Sequence, residues 1–378
     1  MLQPSISPAP TPSSIVWADS ARLAQFDTWL ASAAATHQLQ IATLRPASAD
    51  ASFRRYFRID SASKSFIIMD APPDKEDSAP FVRIASLLSD AGLLVPQILD
   101  WQAAQGFMLL SDLGTKTMLD VLDKQAGYEH TSSTVSSNLP LYDQALDALV
   151  AWQLASKPDV LPPYDEALLR RELQLFPDWY IAQHKGVLLD ARQQAILDKA
   201  FSSIVTSNLA SPSVFVHRDY MPRNLMEPYP ELLKNAPRQQ MLGVLDFQDA
   251  VYGPITYDIA SLMRDAFLSW EEDFVLDVTI RYWQKAKAAG LPMLDDWLDD
   301  FGAFYKAVEW MGLQRHLKIL GIFARLTLRD GKPKYLADTP RFIAYVRATC
   351  NRYIELKPLL RLIDEIEAVD SRLRGNDN

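Results

Sequence analysis

The sequence predicts an α+β protein of two lobes: a small N-terminal lobe with an antiparallel sheet and a larger, mainly helical C-terminal lobe. With 378 residues, 48% of them hydrophobic, the chain is long enough to bury two cores. Short apolar runs separated by turn residues dominate up to about residue 110 and are typical of strands. Beyond residue 117, apolar residues recur mostly at helical spacing.

The predicted N-terminal lobe covers residues 17–111. Residues 1–16 are rich in Pro and Ser and lack the positive start and apolar core of a secretion signal, so we expect a flexible leader. Two helices and five strands are expected in the lobe. The helices are expected over residues 18–36 and 78–90, and the strands over 41–44, 55–59, 66–69, 94–99 and 106–110.

A hinge over residues 112–116 is expected to lead into the C-terminal lobe, residues 117–350, which a C-terminal helix and tail, 351–378, follow. Helices are predicted for 141–154 and 167–183. Residues 123–139 are rich in Ser and Thr and indicate a surface loop, and the prolines of 227–240 indicate an insertion.

Composition excludes several classes of protein. The net charge of −9 argues against a broad nucleic-acid-binding surface. The single cysteine, Cys350, cannot form an internal disulfide, and no apolar stretch is long enough to span a membrane. We therefore expect a cytoplasmic protein that needs neither nucleic acid, membrane nor an obligatory protein partner.

Two short segments carry the strongest functional signal. Residues 214–224 read VFVHRDYMPRN and residues 243–249 read GVLDFQD, so that each segment begins as an apolar strand and ends in polar residues. Asp219, Asn224 and Asp246 would meet at these strand ends. The arrangement suits phosphoryl transfer: Asp219 orients the attacking hydroxyl and takes its proton, while Asn224 and Asp246 hold a metal. Oxygen ligands of this kind favour Mg²⁺.

These segments resemble those of known phosphotransferases. His217-Arg218-Asp219 with Asn224 resembles the catalytic loop of the protein-kinase-like fold, and Asp246-Phe-Gln resembles its metal-binding triplet with the glycine replaced. The stretch Gly-Pro-Ile-Thr-Tyr-Asp that ends at Asp258 resembles the aminoglycoside phosphotransferase branch.

Four segments, over residues 52–58, 68–73, 217–224 and 314–325, further resemble the bacterial N-acetylmuramate/N-acetylglucosamine anomeric kinases. This resemblance implies that ATP phosphorylates the anomeric C1 hydroxyl of an amino sugar in cell-wall recycling, with Mg²⁺ present. It implies that Asp219 is the base, that His217, Arg218 and Arg223 support the loop, and that the N-terminal lobe binds the nucleotide.

Neighbouring residues also have structural interpretations. His217 is expected to brace the loop by hydrogen bonds, and Arg218 to form an internal ion pair. Asp258 precedes an apolar-periodic helix, which predicts a capping role. Asp249 suits either a second metal contact or a turn.

The N-terminal lobe departs from the kinase pattern. It has no glycine before residue 92, and Met69 or Asp70 stands where a strand lysine is expected. Another cation must then meet the ATP phosphates. Arg54, Arg55 and Arg223 are the candidates because guanidinium groups match phosphate oxygens, and Arg54 or Arg55 is favoured. Ser52 ends a turn of small residues whose N–H groups could also bind phosphate.

Two further segments suggest binding roles. Asp112 and Leu113 lie in the predicted hinge, where backbone groups would receive adenine; the alternative is a strand-to-helix turn capped by Asp112. Arg315 and His316 are expected to bind a sugar that carries a carboxylate. The alternative there is a core helix with a solvated basic face.

Two other functions stay open at the level of sequence. The chain could be a different small-molecule kinase of this fold, with a choline, homoserine-like or aminoglycoside acceptor. It could also be a non-catalytic nucleotide-binding regulator, which the missing lysine suggests and the intact Asp219, Asn224 and Asp246 oppose.

Overall fold

A computed structural model describes residues 15–17, 19–49, 53–122, 132–235 and 242–375. The chain divides into two units. The first runs to Ser89 and from Leu94 to Gly114, and the second contains Asp90–Leu93 and everything from Thr115 onward. Most of the predicted leader and Ser52 lie outside the described residues.

The first unit contains a five-stranded antiparallel sheet with the order β1-β2-β3-β5-β4. Its elements are α1 (Ser20–His37), β1 (Gln40–Ala49), β2 (Arg55–Asp60), β3 (Ser65–Asp70), α2 (Ala79–Asp90), β4 (Ile98–Gln102) and β5 (Phe107–Ser111).

Helix α1 covers one face of this sheet. It begins at Asp19, whose carboxylate accepts a hydrogen bond from the backbone N–H of Ala21. Its apolar stripe, which includes Phe26 and Trp29, packs against alternate residues of β2, β3 and β5, such as Ile59 and Ile68. The period-two alternation of the strands therefore builds the core of the first unit.

Strand β4 begins four residues later than predicted. Residues 94–99 were expected to form a strand, yet regular pairing with β5 starts at Ile98. Pro96 explains the shift, because proline has no N–H to donate to a strand ladder.

The second unit is mainly helical. Its helices are α3 (Met118–Val121), α4 (Ser132–Leu154), α5 (Glu166–Leu175), α6 (Ala191–Leu209), α7 (Thr256–Met263), α8 (Glu272–Ala288), α9 (Phe301–Leu328), α10 (Thr339–Arg352) and α11 (Lys357–Gly375). The long helix α9 lies at the centre and contacts α5, α6, α7, α8 and α10. The predicted α+β class, with an antiparallel sheet in a smaller N-terminal unit and a larger, mainly helical unit, is confirmed.

Two small sheets interrupt the helices of the second unit. Strand β7 (Ser213–Val216) pairs with β10 (Val251–Pro254). Strand β8 (Leu225–Glu227) pairs with β6 (Lys116–Thr117) on one side and β9 (Gly243–Val244) on the other. Gly253 is required in β10, because a Cβ there would lie 2.5 Å from the Cβ of Tyr164.

The structure corrects one predicted loop and one predicted helix of the second unit. The predicted loop 123–139 is wrong from residue 132 onward, where α4 begins; serine and threonine oppose a helix only weakly, and tertiary packing overrides that preference. The predicted helix 167–183 is α-helical to Leu175 and continues as a π-helix over Phe176–His184, which contains Pro177. No helix of the described residues is long and apolar enough to cross a membrane.

Candidate active site

The two polar strand ends meet in the second unit. Residues 217–224 leave β7 and return through the short 3-10 helix Pro222–Asn224 into β8, while Asp246 follows β9. The amide nitrogen of Asn224 donates to the backbone oxygen of Asp219 at 2.9 Å and to Oδ2 of Asp246 at 3.2 Å. The antiparallel pairing of β8 with β9 thus brings Asn224 and Asp246 together although they are 22 residues apart.

The pair of Asn224 and Asp246 suits a hard cation. Hydrogen bonds from the amide nitrogen of Asn224 fix its side chain and leave its oxygen as the atom for a metal. Gln248 donates to Oδ1 of Asp246 at 3.0 Å and orients that carboxylate. One carboxylate and one amide oxygen match the ligands of Mg²⁺, which keeps several waters and takes few protein ligands.

Strained backbone marks both halves of the site. Arg218 has φ +76° and Asp246 has φ +62°, values in the left-handed region that residues other than glycine rarely adopt. Such conformations persist where surrounding contacts fix them, and they are common at active sites. The hydrogen bonds to Asn224 and Gln248 fix Asp246, and a buried network fixes Arg218.

Asp258 braces the loop that carries Asp219. Its buried carboxylate accepts the backbone N–H of His217 at 2.7 Å and that of Arg218 at 3.0 Å. Burial raises the pKa of Asp258 to about 7, although these two N–H groups lower it. The predicted capping role is wrong: Asp258 lies inside α7, and its carboxylate binds a different segment of chain.

His217 has a structural place in the site. Its Nε2 lies 3.0 Å from the backbone oxygen of Leu245, and its Nδ1 accepts the N–H of Asp219 at 3.3 Å. Burial lowers the pKa of His217 to about 4, so the ring is neutral near pH 7. A neutral imidazole that bridges both halves of the site fits the predicted bracing role.

A buried carboxylate that sequence reasoning missed, Glu172 of α5, holds Arg218. Arg218 donates to Oε1 of Glu172 at 2.5 Å, Lys318 lies 2.8 Å from the same oxygen, and Gln314 donates to Oε2 at 3.0 Å. The Tyr164 hydroxyl donates to it as well. No local pattern in α5 signals this role, because its partners are 8 to 146 residues away in sequence.

The Glu172 network predicts a pH-dependent stability. Burial raises the pKa of Glu172, but the charges of Lys318 and Arg218 outweigh it and lower the pKa to about 2. Since the folded pKa lies below the unfolded value, the stabilisation is complete above about pH 4.5 and is lost as the pH falls toward 2. Its size is on the order of 3 kcal/mol.

Glu172→Gln should therefore unfold more easily than the wild type at pH 7, and the difference should shrink as the pH approaches 3. Urea unfolding at pH 7, 5 and 3 measures the difference in free energy of unfolding between the variant and the wild type. Glu166→Gln, on the exposed side of the same helix, is the matched control and should have little effect. A difference that stays constant over this pH range would contradict the account.

Arg315 of α9 lies beside the predicted base. Its NH2 is 3.9 Å from Oδ1 of Asp219, and the Arg315 side chain is 3% exposed while that of Asp219 is 43% exposed. The alternative of a solvated basic face on α9 is wrong, because Arg315 and His316 are buried and Lys318 pairs with Glu172. Arg315 therefore places a buried positive charge beside the predicted base.

His316 lies against the aromatic ring of Tyr345, with ring centroids 4.9 Å apart, and its Nε2 lies 3.4 Å from the backbone oxygen of Arg264. Burial and the neighbouring arginine charges lower the pKa of His316 to about 3. The ring is neutral near pH 7 and has no charge to offer a carboxylate. The predicted substrate role of His316 stays a prediction without support from this geometry.

Arg223, the other predicted cation of the catalytic loop, is exposed, and its guanidinium lies 4.6 Å from the ring centroid of Phe267. Asp249 is also exposed, and its backbone oxygen accepts from Arg218 at 3.4 Å. Neither contact tests the roles predicted for Arg223 and Asp249.

In the first unit, the Asp112 side chain is committed to internal contacts. Its carboxylate accepts Arg58 Nε at 2.6 Å, Ser65 Oγ at 2.7 Å and the N–H of Gly114 at 3.1 Å. Leu113 is buried. Only backbone groups of Asp112 and Leu113 suit the adenine contact predicted for them.

The two predicted phosphate-binding arginines differ in their surroundings. Arg55 forms an ion pair with buried Asp70, which Arg22 also contacts. The guanidinium of Arg55 lies 3.8 Å from the ring centroid of Trp17. Arg54 lies 4.0 Å from Glu76. Both arginines thus have an acidic partner, and these contacts favour neither of them for a phosphate contact.

Known proteins resemble this chain over most of its length. A model described as "Phosphotransferase enzyme family" matches residues 43–297. The chain is 48% identical over 354 residues to an N-acetylmuramate/N-acetylglucosamine kinase of Pseudomonas aeruginosa, which covers 91% of this chain and 97% of the relative. It is 46% identical to a protein of the same name from Neisseria meningitidis, with 85% and 89% covered.

Among solved structures, a choline/ethanolamine kinase family protein from Mesorhizobium loti superimposes with a TM-score of 0.56 at 14% identity, which covers 89% of this chain and 98% of that one. At that identity the likeness concerns the fold alone; together with the family match it confirms the predicted protein-kinase-like fold class.

Proposed function

Because the chain belongs to the phosphotransferase enzyme family, we propose that it transfers the γ-phosphoryl group of ATP to the anomeric C1 hydroxyl of N-acetylglucosamine and N-acetylmuramate. The observation that carries the proposal is the meeting of Asn224 with Asp219 and Asp246 in one site of the second unit. The names of the relatives, which are 48% and 46% identical in sequence to this chain, support an amino sugar as the acceptor.

The site suits direct in-line transfer. Asp219, whose carboxylate is partly exposed, accepts the proton of the sugar hydroxyl as that oxygen forms its bond to the γ-phosphorus. The bond from the γ-phosphorus to the bridging oxygen breaks, and ADP leaves with that oxygen. The Arg315 guanidinium lies 3.9 Å from Asp219, close enough to offset negative charge that develops at the reacting atoms.

Asn224 and Asp246 would hold Mg²⁺. When bound, the ion would neutralise charge on the ATP phosphates. For the nucleotide itself, we propose Arg54 or Arg55 as a phosphate contact and the backbone of Asp112 and Leu113 as the adenine contact. Ser52 is a further candidate for the phosphates. A cytoplasmic place in cell-wall sugar recycling is part of the proposal, because the donor is ATP.

The acceptor is tested by measuring ADP release from ATP and Mg²⁺ with N-acetylglucosamine, N-acetylmuramate, glucose, choline and kanamycin. We expect turnover with the two N-acetyl sugars and little with choline or kanamycin. The methyl glycoside of N-acetylglucosamine is the matched control, since its C1 oxygen is blocked, and it should release no ADP above background. Turnover of choline or kanamycin in preference to the sugars would overturn the proposal.

A further inference from the structure

Asp265 is a buried carboxylate that lies two residues after the end of α7. It is 2% exposed, and neither of its oxygens has a hydrogen-bond partner among the described residues. The N–H groups of Ala266 and Phe267 lower its pKa, but neither makes a hydrogen bond of normal geometry with it. Burying a carboxylate without hydrogen bonds destabilises the folded protein, so a functional role for Asp265 has to be considered.

Two arginine charges act on Asp265 without forming an ion pair with it. Burial raises the pKa of Asp265 to about 6, and Arg315 is the first of the charges that lower it; Arg223 of the catalytic loop also contributes. NH1 of Arg315 is itself buried and lacks a partner among the described residues, while NH2 lies 3.9 Å from Asp219. The neighbours of Asp265 in sequence place it in the same region: the backbone oxygen of Arg264 lies 3.4 Å from Nε2 of His316, and the ring centroid of Phe267 lies 4.6 Å from the guanidinium of Arg223 in the catalytic loop.

A purely structural role would make Asp265 the counter-charge of Arg315. In that case the two groups should form a direct ion pair, which is the arrangement that compensates buried charges. No such pair within 4.0 Å occurs in the described chain, although Arg218 and Glu172 form one nearby at 2.5 Å. The separation leaves hydrogen-bonding atoms of both groups for a ligand that carries donors and acceptors.

We propose that Asp265 is a specificity-determining residue of the acceptor site, where its carboxylate accepts hydrogen bonds from sugar hydroxyl groups while NH1 of Arg315 donates to the same sugar. The inference rests on the proposed function, since it takes a sugar as acceptor. An ionised carboxylate accepts from hydroxyl groups more strongly than a neutral group does.

The chemistry of the two acceptors narrows the choice of hydroxyl. N-acetylmuramate carries its lactyl ether on C3, so N-acetylglucosamine and N-acetylmuramate share free hydroxyls only at C1, C4 and C6. With C1 assigned to Asp219, a group that serves both sugars binds the hydroxyl at C4 or C6. Asp265 is therefore assigned to that end of the pyranose.

The test combines a variant with altered sugars. Wild type and Asp265→Asn are assayed for KM and kcat with N-acetylglucosamine and with its 4-deoxy and 6-deoxy analogues. In the variant we expect KM for N-acetylglucosamine to rise about tenfold or more, as the loss of a charged hydrogen bond predicts, while KM for ATP changes less than about twofold. Asp273→Asn, an exposed carboxylate in the first turn of α8, is the matched control.

The decisive result is the coupling between residue and hydroxyl. One deoxy analogue should be a poor substrate for wild type, with a higher KM than N-acetylglucosamine. In Asp265→Asn, this increase in KM caused by the missing hydroxyl should largely disappear. If the increases in KM for the 4-deoxy and 6-deoxy analogues are as large in the variant as in wild type, Asp265 has a structural role and the inference is overturned. The same holds if KM for ATP rises in parallel.

Two further outcomes are distinguishable. If Asp265→Asn does not fold, as thermal melting would show, Asp265→Ser replaces it in the same cycle with the same expectation. If wild type phosphorylates neither N-acetyl sugar, the proposed function itself fails and the inference falls with it.

Discussion

Replacing Asp219 by asparagine is expected to lower kcat by about 10²- to 10⁴-fold, the usual contribution of a positioned general base. Asparagine keeps the size of the side chain but cannot take the proton of the sugar hydroxyl. The backbone oxygen of Asp219, which accepts from Asn224, is unaffected, so the metal pair should keep its geometry. KM for ATP should change less than about threefold.

Steady-state kinetics at saturating sugar measure this effect. Asp299→Asn, an exposed aspartate of the same unit, serves as the control and should retain wild-type rates. If Asp219→Asn kept more than about a tenth of the wild-type kcat, Asp219 would not be the base.

Replacing Asp246 by asparagine is expected to weaken the binding of ATP in the presence of Mg²⁺ by at least about tenfold, or about 1.4 kcal/mol, and to lower kcat as well. Asparagine is the suitable replacement because Asp246 has φ +62°, which asparagine tolerates better than alanine does. The variant thus removes a charge without adding backbone strain.

Calorimetric titration with ATP tests this, once with Mg²⁺ and once with EDTA. The difference between Asp246→Asn and wild type should appear only with Mg²⁺ and shrink at high Mg²⁺ concentration. An equal loss of ATP affinity with EDTA would show that Asp246 acts without a metal.

The effects of Asp219→Asn and Asp246→Asn should separate the roles of these two neighbouring carboxylates. Asp219 should influence the chemical step and Asp246 the bound nucleotide, although Asn224 contacts both residues. Similar small effects of the two replacements would contradict the division of roles.

The sequence predicted the local parts of this site better than its long-range parts. Strands β7 and β9 could be predicted because each is a short apolar run followed directly by polar residues, Asp219 and Asp246 among them. The strained backbone of Arg218 and Asp246 could not, since neither position carries the glycine that usually signals positive φ.

The supporting residues depend on contacts between distant segments. Asp258 has the sequence context of a helix cap, yet it binds backbone 40 residues upstream. Glu172 and Asp265 lie on or beside helices where acidic residues are usually exposed. Only the packing of α9 against α5 and α7 shows that both carboxylates are buried and that Glu172 pairs with Arg218.

Transfer of phosphate to the anomeric oxygen can be measured with N-acetylglucosamine labelled with ¹³C at C1. After reaction with ATP and Mg²⁺, we expect the C1 resonance to be split by coupling to phosphorus, because the product carries phosphate on the C1 oxygen. A phosphorylated product whose C1 resonance shows no such coupling would place the phosphate on another hydroxyl and contradict the account.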